Sequence, residues 1–150
     1  MFSGLALLSE ATASQPVLLY DGDCGLCNAV VRFLLKRDRR GVLRFAPLQG
    51  RTGQAFLAAR GMNTQDFDSI VFIEDLTRAD MAFSLRTAGV ARALEEMGGG
   101  WRRAARMLRV VPVSWRDALY RLVARVRYRI FGRYTPTPLP NPEWARRFLD

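Results

Sequence analysis

The fold of this 150-residue chain is decided by the stretch Val17-Leu18-Leu19-Tyr20-Asp21-Gly22-Asp23-Cys24-Gly25-Leu26-Cys27. A run of four apolar residues leads into a tight acidic turn, which is followed by a segment that opens with a cysteine. Such a continuous apolar run, bounded by turn residues, is typical of a short strand buried on both faces, as in a parallel sheet. We therefore predict a strand at 17–20 and a helix from about Cys24 to Arg37, since the apolar residues after the turn recur at helical spacing.

The chain continues with alternating strand and helix signals. The next predicted elements are, in order, strand 42–46, helix 52–60 closed by Gly61, strand 69–74, strand 79–83 after a turn at 75–78, and a helix capped by Ser84 that ends at Met97. Two parallel strands joined by a helix, followed by a β-hairpin and a helix, form a thioredoxin-like core. The prediction is therefore an α/β fold, with an N-terminal extension at 1–16 and a thioredoxin-like core at 17–100.

Residues 101–150 are predicted to form a C-terminal helical extension packed on the same domain. One helix spans 101–111, and a second begins at a capping box that opens with Ser114 and ends at Phe131. A proline-rich tail at 133–142 precedes a last helical turn at 143–149. The second helix carries an apolar stripe that fits the buried face of a packed helix: Trp115, Leu119, Leu122, Val126 and Ile130. Arginines are predicted on its other faces: Arg116, Arg121, Arg125, Arg127 and Arg129.

The positive charge of the chain is concentrated in its last third. Residues 1–100 contain 11 basic and 11 acidic side chains, whereas residues 101–150 contain 12 arginines and three acids, which accounts for the net charge of +9. This asymmetry indicates an anionic partner, such as a membrane surface, a nucleic acid or an acidic protein. The alternative is that the arginines only solvate the outer faces of helices. Nucleic acid is the less favoured partner, because few aromatic residues are interleaved with the arginines.

Cys24 and Cys27 are the only cysteines of the chain, and their spacing at a helix start is suited to redox chemistry. The unpaired N–H groups and the dipole at the helix N-terminus favour an anion, and the thiolate is the reactive form of cysteine. Cys24 is therefore the candidate nucleophile. Cys27 lies one turn later, where it can attack a mixed disulfide on Cys24 and release the substrate.

The acidic residues of the turn have two possible effects. Asp23 adjoins Cys24, and a nearby negative charge disfavours a thiolate. Asp21 can either cap the helix or accept a proton from a thiol during exchange. We predict a mechanistic role for Asp21, and a role in shaping the turn and the site for Gly22, Asp23 and Gly25.

Three other interpretations of this stretch compete with redox chemistry. The cysteines can be inert core residues on the inner face of a helix. A structural zinc site needs about four nitrogen or sulfur ligands, which a chain with two cysteines and no histidine can supply only as a dimer. The pair Asp21 and Asp23 after an apolar strand is also similar to the first motif of haloacid-dehalogenase phosphatases, but the single lysine, Lys36, lies inside the first helix. We therefore expect neither a metal nor another cofactor.

The predicted location is the cytoplasm. No apolar run reaches the roughly 18–20 residues that span a bilayer, and the N-terminal residues lack the basic segment of a signal peptide. In a reducing cytosol a pair of cysteines at this spacing more often serves redox or metal chemistry than a structural disulfide.

The sequence resembles the DCC family, which is named for its D-x-x-C-x-x-C motif. The residues of that motif are Asp21, Cys24 and Cys27, and similar stretches lie at 32–38, 44–49 and 127–133. The resemblance extends from about Val17 to the end of the chain. It implies a thioredoxin-like thiol–disulfide oxidoreductase that acts on a disulfide-containing protein or a small thiol.

The sequence departs from the expected pattern in two places. Many relatives carry a third cysteine shortly after the Phe-Gly-Arg stretch, where this chain has Tyr134-Thr135-Pro136-Thr137. Thioredoxins also have a cis-proline before the strand that faces the two cysteines, whereas here the corresponding segment is Phe67-Asp68-Ser69. Because that proline exposes backbone to peptide substrates, its absence favours a small thiol or a dedicated protein partner.

Overall fold

A computed structural model describes residues 15–62, 64–65, 70–75, 83–133 and 142–149. Its elements are β1 (Val17–Tyr20), α1 (Gly25–Arg37), β2 (Arg44–Pro47), α2 (Arg51–Ala59), β3 (Val71–Ile73), β4 (Phe83–Leu85), α3 (Arg86–Met97), α4 (Gly100–Val110), α5 (Val113–Phe131) and a short 3₁₀ helix (Pro142–Arg147). Most of the predicted N-terminal extension, the hairpin turn and the proline-rich tail lie outside the described residues.

The strands form one mixed sheet in the order β2-β1-β3-β4. β1 and β2 are parallel, with Val17 opposite Arg44, and α1 connects them. β3 is antiparallel to β1, and β4 is antiparallel to β3. This arrangement is that of a thioredoxin-like core with additional helices, so the predicted fold class is confirmed.

β1 lies at the centre of the sheet, and both of its faces are buried. Leu18 and Tyr20 face a cluster formed with α1 and α3, while Val17 and Leu19 face a second cluster that includes residues of α2. Successive side chains of a strand point to opposite faces, so an uninterrupted apolar run is what a doubly covered strand requires. Both cysteines belong to the first cluster.

Two predicted helix caps are wrong. Ser84 lies within β4, paired with Phe72, and Leu85 takes the N-cap position of α3 without a side-chain hydrogen bond. α5 begins at Val113 with Pro112 as its N-cap, so Ser114 lies inside the helix. At Ser84, pairing with β3 is more favourable than a local helix cap. At the start of α5, the fixed φ of Pro112 already suits the beginning of a helix.

The predicted orientation of α5 is also wrong. Trp115, Leu119 and Ile130 are exposed at 71%, 63% and 67%, whereas Arg116 and Arg127 are buried. Polar contacts explain this orientation. The Ile70 amide donates to the Tyr120 hydroxyl at 2.8 Å, and Arg127 pairs with a buried carboxylate described below.

The C-terminal segment returns to the sheet edge beside β2. The Leu149 amide donates to the Phe45 carbonyl at 3.0 Å, and the Phe148 ring contacts the rings of Tyr20 and Phe45. Arg147 forms an ion pair with the buried Asp38. Among the helices described, none has the length and apolar character needed to cross a bilayer.

Candidate active site

Cys24 occupies the N-cap position of α1. Its Sγ accepts a hydrogen bond from the Cys27 amide at 3.3 Å, and both cysteines are free thiols. A serine, threonine or aspartate oxygen usually accepts this bond at an N-cap. The sulfur of Cys24 therefore lies where backbone N–H groups stabilise negative charge.

The turn before Cys24 is held by side-chain amides. The Gly22 amide donates to Gln49 Oε1 at 2.8 Å, and Asn28 Nδ2 donates to the carbonyls of Gly22 and Cys24 at 2.9 Å each. A Cβ on Gly22 would lie 3.0 Å from the Pro47 Cβ, so a side chain there would crowd β2. Asn28 and Gln49 were not among the residues predicted to shape this turn.

The end of α5 covers Cys24. The Gly25 amide donates to the Gly132 carbonyl at 3.1 Å, and Cys24 forms an isolated antiparallel bridge with Arg133. A Cβ on Gly25 would lie 2.6 Å from the Phe131 carbonyl oxygen, so this approach requires glycine. Cys24 is 0% exposed beneath this covering segment, residues 131–133. The segment predicted to face the cysteines, 67–69, lies outside the described residues.

Asp21 is buried and accepts hydrogen bonds on both carboxylate oxygens. Oδ1 accepts from the Asp23 amide at 3.0 Å and from Gln49 Nε2 at 2.6 Å. Oδ2 accepts from the Tyr128 hydroxyl and forms an ion pair with Arg127 at 3.1 Å. Since Cys24 occupies the N-cap, Asp21 does not cap α1; it fixes the turn and anchors α5. The Asp23 side chain is exposed.

Arg127 connects the buried carboxylate to the second cysteine. Its Nη2 contacts Asp21 Oδ2 at 3.1 Å, and its Nη1 donates to Cys27 Sγ at 3.5 Å. Charge patterning placed Arg127 on a solvated face of α5, and it gave no role to Tyr128. The sequence feature that could have indicated Arg127 and Tyr128 was their position in the 127–133 stretch, which resembles the DCC family.

The environment of Cys27 favours its neutral form. Burial raises the pKa of the Cys27 thiol to about 12, and the hydrogen bond with Cys24 and the charges of Cys24 and Asp21 act in the same direction. The charge of Arg127 opposes them. Cys27 is consequently a thiol at neutral pH.

The two α5 residues at Asp21 keep their protons as well. Burial and the hydrogen bond to Asp21 raise the pKa of Tyr128 above its usual value. Burial would lower the pKa of Arg127, but the nearby charges of Cys27, Cys24 and Asp21 raise it overall. Tyr128 therefore remains a hydrogen-bond donor and Arg127 remains a cation at neutral pH.

We expect alkylation of Cys27 by iodoacetamide to be slow at neutral pH and to rise about tenfold per pH unit toward its raised pKa, because only the thiolate reacts. Fragment-ion mass spectrometry of the reduced protein would separate the rates of the two cysteines. In Cys24→Ser the negative charge of Cys24 is removed, so the Cys27 profile should move to lower pH. An unchanged profile in that variant would contradict the coupling between the two thiols.

Two cavities flank the site. An apolar cavity of about 100 Å³ lies beside Cys27, between α1 and α5, and its lining includes Leu26, Val30, Ile70, Tyr120, Val123 and Ala124. A polar cleft of about 270 Å³ is lined by Asp21, Asp23, Gln49, Gln65, Arg127, Tyr128 and Arg133. Arg127 lines both cavities. Within the described part of the chain, no three histidine, cysteine or acidic residues are grouped so that they could hold a metal ion.

Comparison with known proteins identifies the family. The model of the DCC1-like thiol-disulfide oxidoreductase family matches residues 18–133. The chain belongs to this family. The matched region spans β1 to the covering segment, so it contains both cysteines, Asp21 and the α5 residues that bind Asp21.

Two relatives support the assignment to the DCC1-like family. The chain is 40% identical over 133 residues to YuxK of Bacillus subtilis (strain 168), described as uncharacterized, covering 89% of this chain and 93% of YuxK. It is 33% identical over 119 residues to a DCC family protein of Arabidopsis thaliana described as chloroplastic, covering 79% of this chain and 66% of the relative. No solved structure matches the chain.

Proposed function

We propose that this protein is a thiol–disulfide oxidoreductase in which Cys24 is the nucleophile and Cys27 the resolving thiol. The observation that carries the proposal is the position of Cys24 Sγ at the N-cap of α1, 3.3 Å from the Cys27 amide. The family description supports redox chemistry at a thiol pair. The order of the two cysteines rests on their different surroundings.

The proposed reaction consists of two exchanges. The Cys24 thiolate attacks one sulfur of a substrate disulfide, so that a Cys24–substrate disulfide forms and the other substrate sulfur leaves as a thiolate that takes up a proton. The Cys27 thiolate then attacks Cys24 Sγ, which forms the Cys24–Cys27 disulfide and releases the second substrate thiol. The substrate gains two electrons and two protons, and an external thiol reductant returns the protein to the dithiol.

The environment of Cys27 suits the resolving role. As long as Cys24 is a thiolate, its charge and hydrogen bond help to keep Cys27 protonated. Once Cys24 is bonded to substrate, that charge is lost, while Arg127 Nη1 remains 3.5 Å from Cys27 Sγ. Deprotonation of Cys27 becomes easier at the step that needs its thiolate.

Asp21 assists in this scheme through Arg127. Its carboxylate holds the guanidinium against Cys27 and also receives the Tyr128 hydroxyl. The negative charge of Asp21 itself raises the pKa of Cys27. The proposed benefit of Asp21 is therefore the placement of a cation beside the sulfur.

The proposed substrate is a disulfide-containing protein or a small thiol in its disulfide form. Because Cys24 is 0% exposed, the substrate can reach its sulfur only when the residues packed around it move. The apolar cavity beside Cys27 is suited to an apolar group of the substrate. The cytoplasm remains the proposed location.

The test is a single-turnover oxidation of the reduced protein by a small aromatic disulfide or by a disulfide-bonded protein. We expect one equivalent of substrate to be reduced and the protein to gain one intramolecular disulfide between Cys24 and Cys27, seen as the loss of two hydrogens by mass spectrometry. Acid quenching at successive times should show the mixed disulfide on Cys24 first. Failure to react with either substrate, with the thiols still titratable after unfolding, would refute the proposal.

A further inference from the structure

α5 presents an apolar stripe to solvent. Trp115, Leu119, Leu122 and Ile130 are 71%, 63%, 57% and 67% exposed and lie on one side of the helix. At 1.5 Å per residue, they extend over roughly 22 Å. Several large exposed side chains on one side of a helix usually mark an interaction surface.

A row of arginines runs along one flank of this stripe. Arg121, Arg125 and Arg129 recur every four residues, and all three are exposed. The single acidic residue of α5, Asp117, lies on the packed side, where it accepts a hydrogen bond from the Thr87 hydroxyl at 2.7 Å. The exposed side of α5 is therefore both apolar and positively charged.

We propose that this side of α5 docks on an anionic lipid bilayer, with the helix lying in the plane of the interface. A basic amphipathic helix binds such surfaces because its apolar side chains enter the boundary of the acyl chains and its arginines meet anionic headgroups. Trp115 has the amphipathic ring that is favoured at this depth. A single bilayer surface therefore offers acyl chains to the stripe and anionic headgroups to the arginine row.

Charge complementarity separates the bilayer from a second copy of this chain and from nucleic acid. A second copy of this chain would bring two arginine rows together without acidic partners on α5. Nucleic acid would match the arginines but would leave the aliphatic side chains of the stripe without apolar contacts. An anionic bilayer can contact both the apolar stripe and the arginine row.

Docking in this orientation leaves the cysteines on the protein side of the helix. Arg127 is 6% exposed and pairs with Asp21, whereas the stripe is exposed to solvent. The proposal is independent of the redox function, because it uses none of the residues that contact the two sulfurs. It assigns the protein a bilayer surface as its working environment.

Co-sedimentation of the full-length protein with lipid vesicles tests the proposal. We expect binding to vesicles of phosphatidylglycerol and phosphatidylcholine, weak binding to pure phosphatidylcholine, and a steep loss of binding with added salt. Trp115 emission should shift to shorter wavelength on binding. The shift should vanish in Trp115→Phe, which separates it from the signals of Trp101 and Trp144.

Substitutions separate the apolar and the charged contributions. Leu119→Ser/Leu122→Ser should weaken binding roughly tenfold or more. Arg121→Gln/Arg125→Gln/Arg129→Gln should weaken it about 100-fold at low salt. The matched control, Lys36→Gln/Arg39→Gln/Arg51→Gln, removes the same charge from exposed sites outside α5 and should bind nearly as well as the unmodified protein.

Four results would overturn the proposal. The first is no binding to anionic vesicles at low salt. The second is self-association in sedimentation equilibrium that Leu119→Ser/Leu122→Ser abolishes, because a second copy would then cover the stripe. The third is equal loss of vesicle binding in the matched control. The fourth is duplex DNA binding that depends on the arginine row alone. Circular dichroism of each variant checks that it is folded.

Discussion

Replacing Cys24 by serine is expected to abolish reduction of a disulfide substrate while leaving the protein folded. A serine hydroxyl is a favoured N-cap acceptor, so it can accept the bond from the Cys27 amide that Cys24 Sγ accepts at 3.3 Å. The start of α1 is thereby preserved, and the loss of activity reports on the sulfur. The measurement is the rate of substrate reduction, together with the urea midpoint of the variant.

The matched variant, Cys27→Ser, should still react with the substrate disulfide but should not complete the reaction. It keeps the attacking sulfur and removes the resolving thiol, so the reaction stops at a substrate disulfide on Cys24. Non-reducing electrophoresis and mass spectrometry would detect this adduct. Full activity in Cys24→Ser, or an adduct on Cys27 in the unmodified protein, would contradict the assigned order of the two thiols.

The second large effect is expected at Arg127. Arg127→Leu leaves the Asp21 carboxylate buried without its cation, and loss of one partner of a buried pair lowers the free energy of unfolding by about 3–5 kcal/mol. The variant also removes the charge that lowers the pKa of Cys27, so the mixed disulfide should persist longer. Urea unfolding measures the first effect, and quenched kinetics of the adduct measure the second.

Two companion variants distinguish charge from geometry. Asp21→Asn/Arg127→Leu removes both charges and should recover much of the lost stability, because no uncompensated ion remains. Arg127→Lys keeps the charge but cannot reach the carboxylate and Cys27 Sγ with a rigid fork. We expect it to be more stable than Arg127→Leu and still slow in resolving the adduct. An adduct lifetime equal to that of the unmodified protein in all three variants would exclude a positioning role for Arg127.

The first half of the site could be predicted because its determinants are local. An apolar run, an acidic turn and a cysteine at a helix start specify β1, the turn and α1 within a few residues of each other. The order of strands and helices along the chain also followed from these local signals. These features depend on hydrophobic periodicity and turn residues, which can be recognised in a single sequence.

The second half of the site depends on contacts across about 100 residues. Arg127, Tyr128 and the covering segment reach Cys27, Asp21 and Gly25 only after α5 has packed against the sheet. Hydrophobic periodicity predicted that the apolar stripe of α5 would face the core. The buried carboxylate of Asp21 instead requires polar or charged partners from α5. The ion pair with Arg127 and the Tyr120 hydrogen bond set the rotation of the helix.

The cover over Cys24 also affects how the protein withstands oxidants. A sulfur with no exposed surface is a poor target for peroxide, which converts accessible thiolates to sulfenic and then to irreversibly oxidised acids. Cys27 is only 8% exposed and is held as a thiol, so it shares this protection. Movement of the residues that bury the two sulfurs would expose the pair to exchange and to oxidative damage at the same moment. We therefore expect the lifetime of the reduced protein under oxidative stress to depend on how often the two buried sulfurs become exposed.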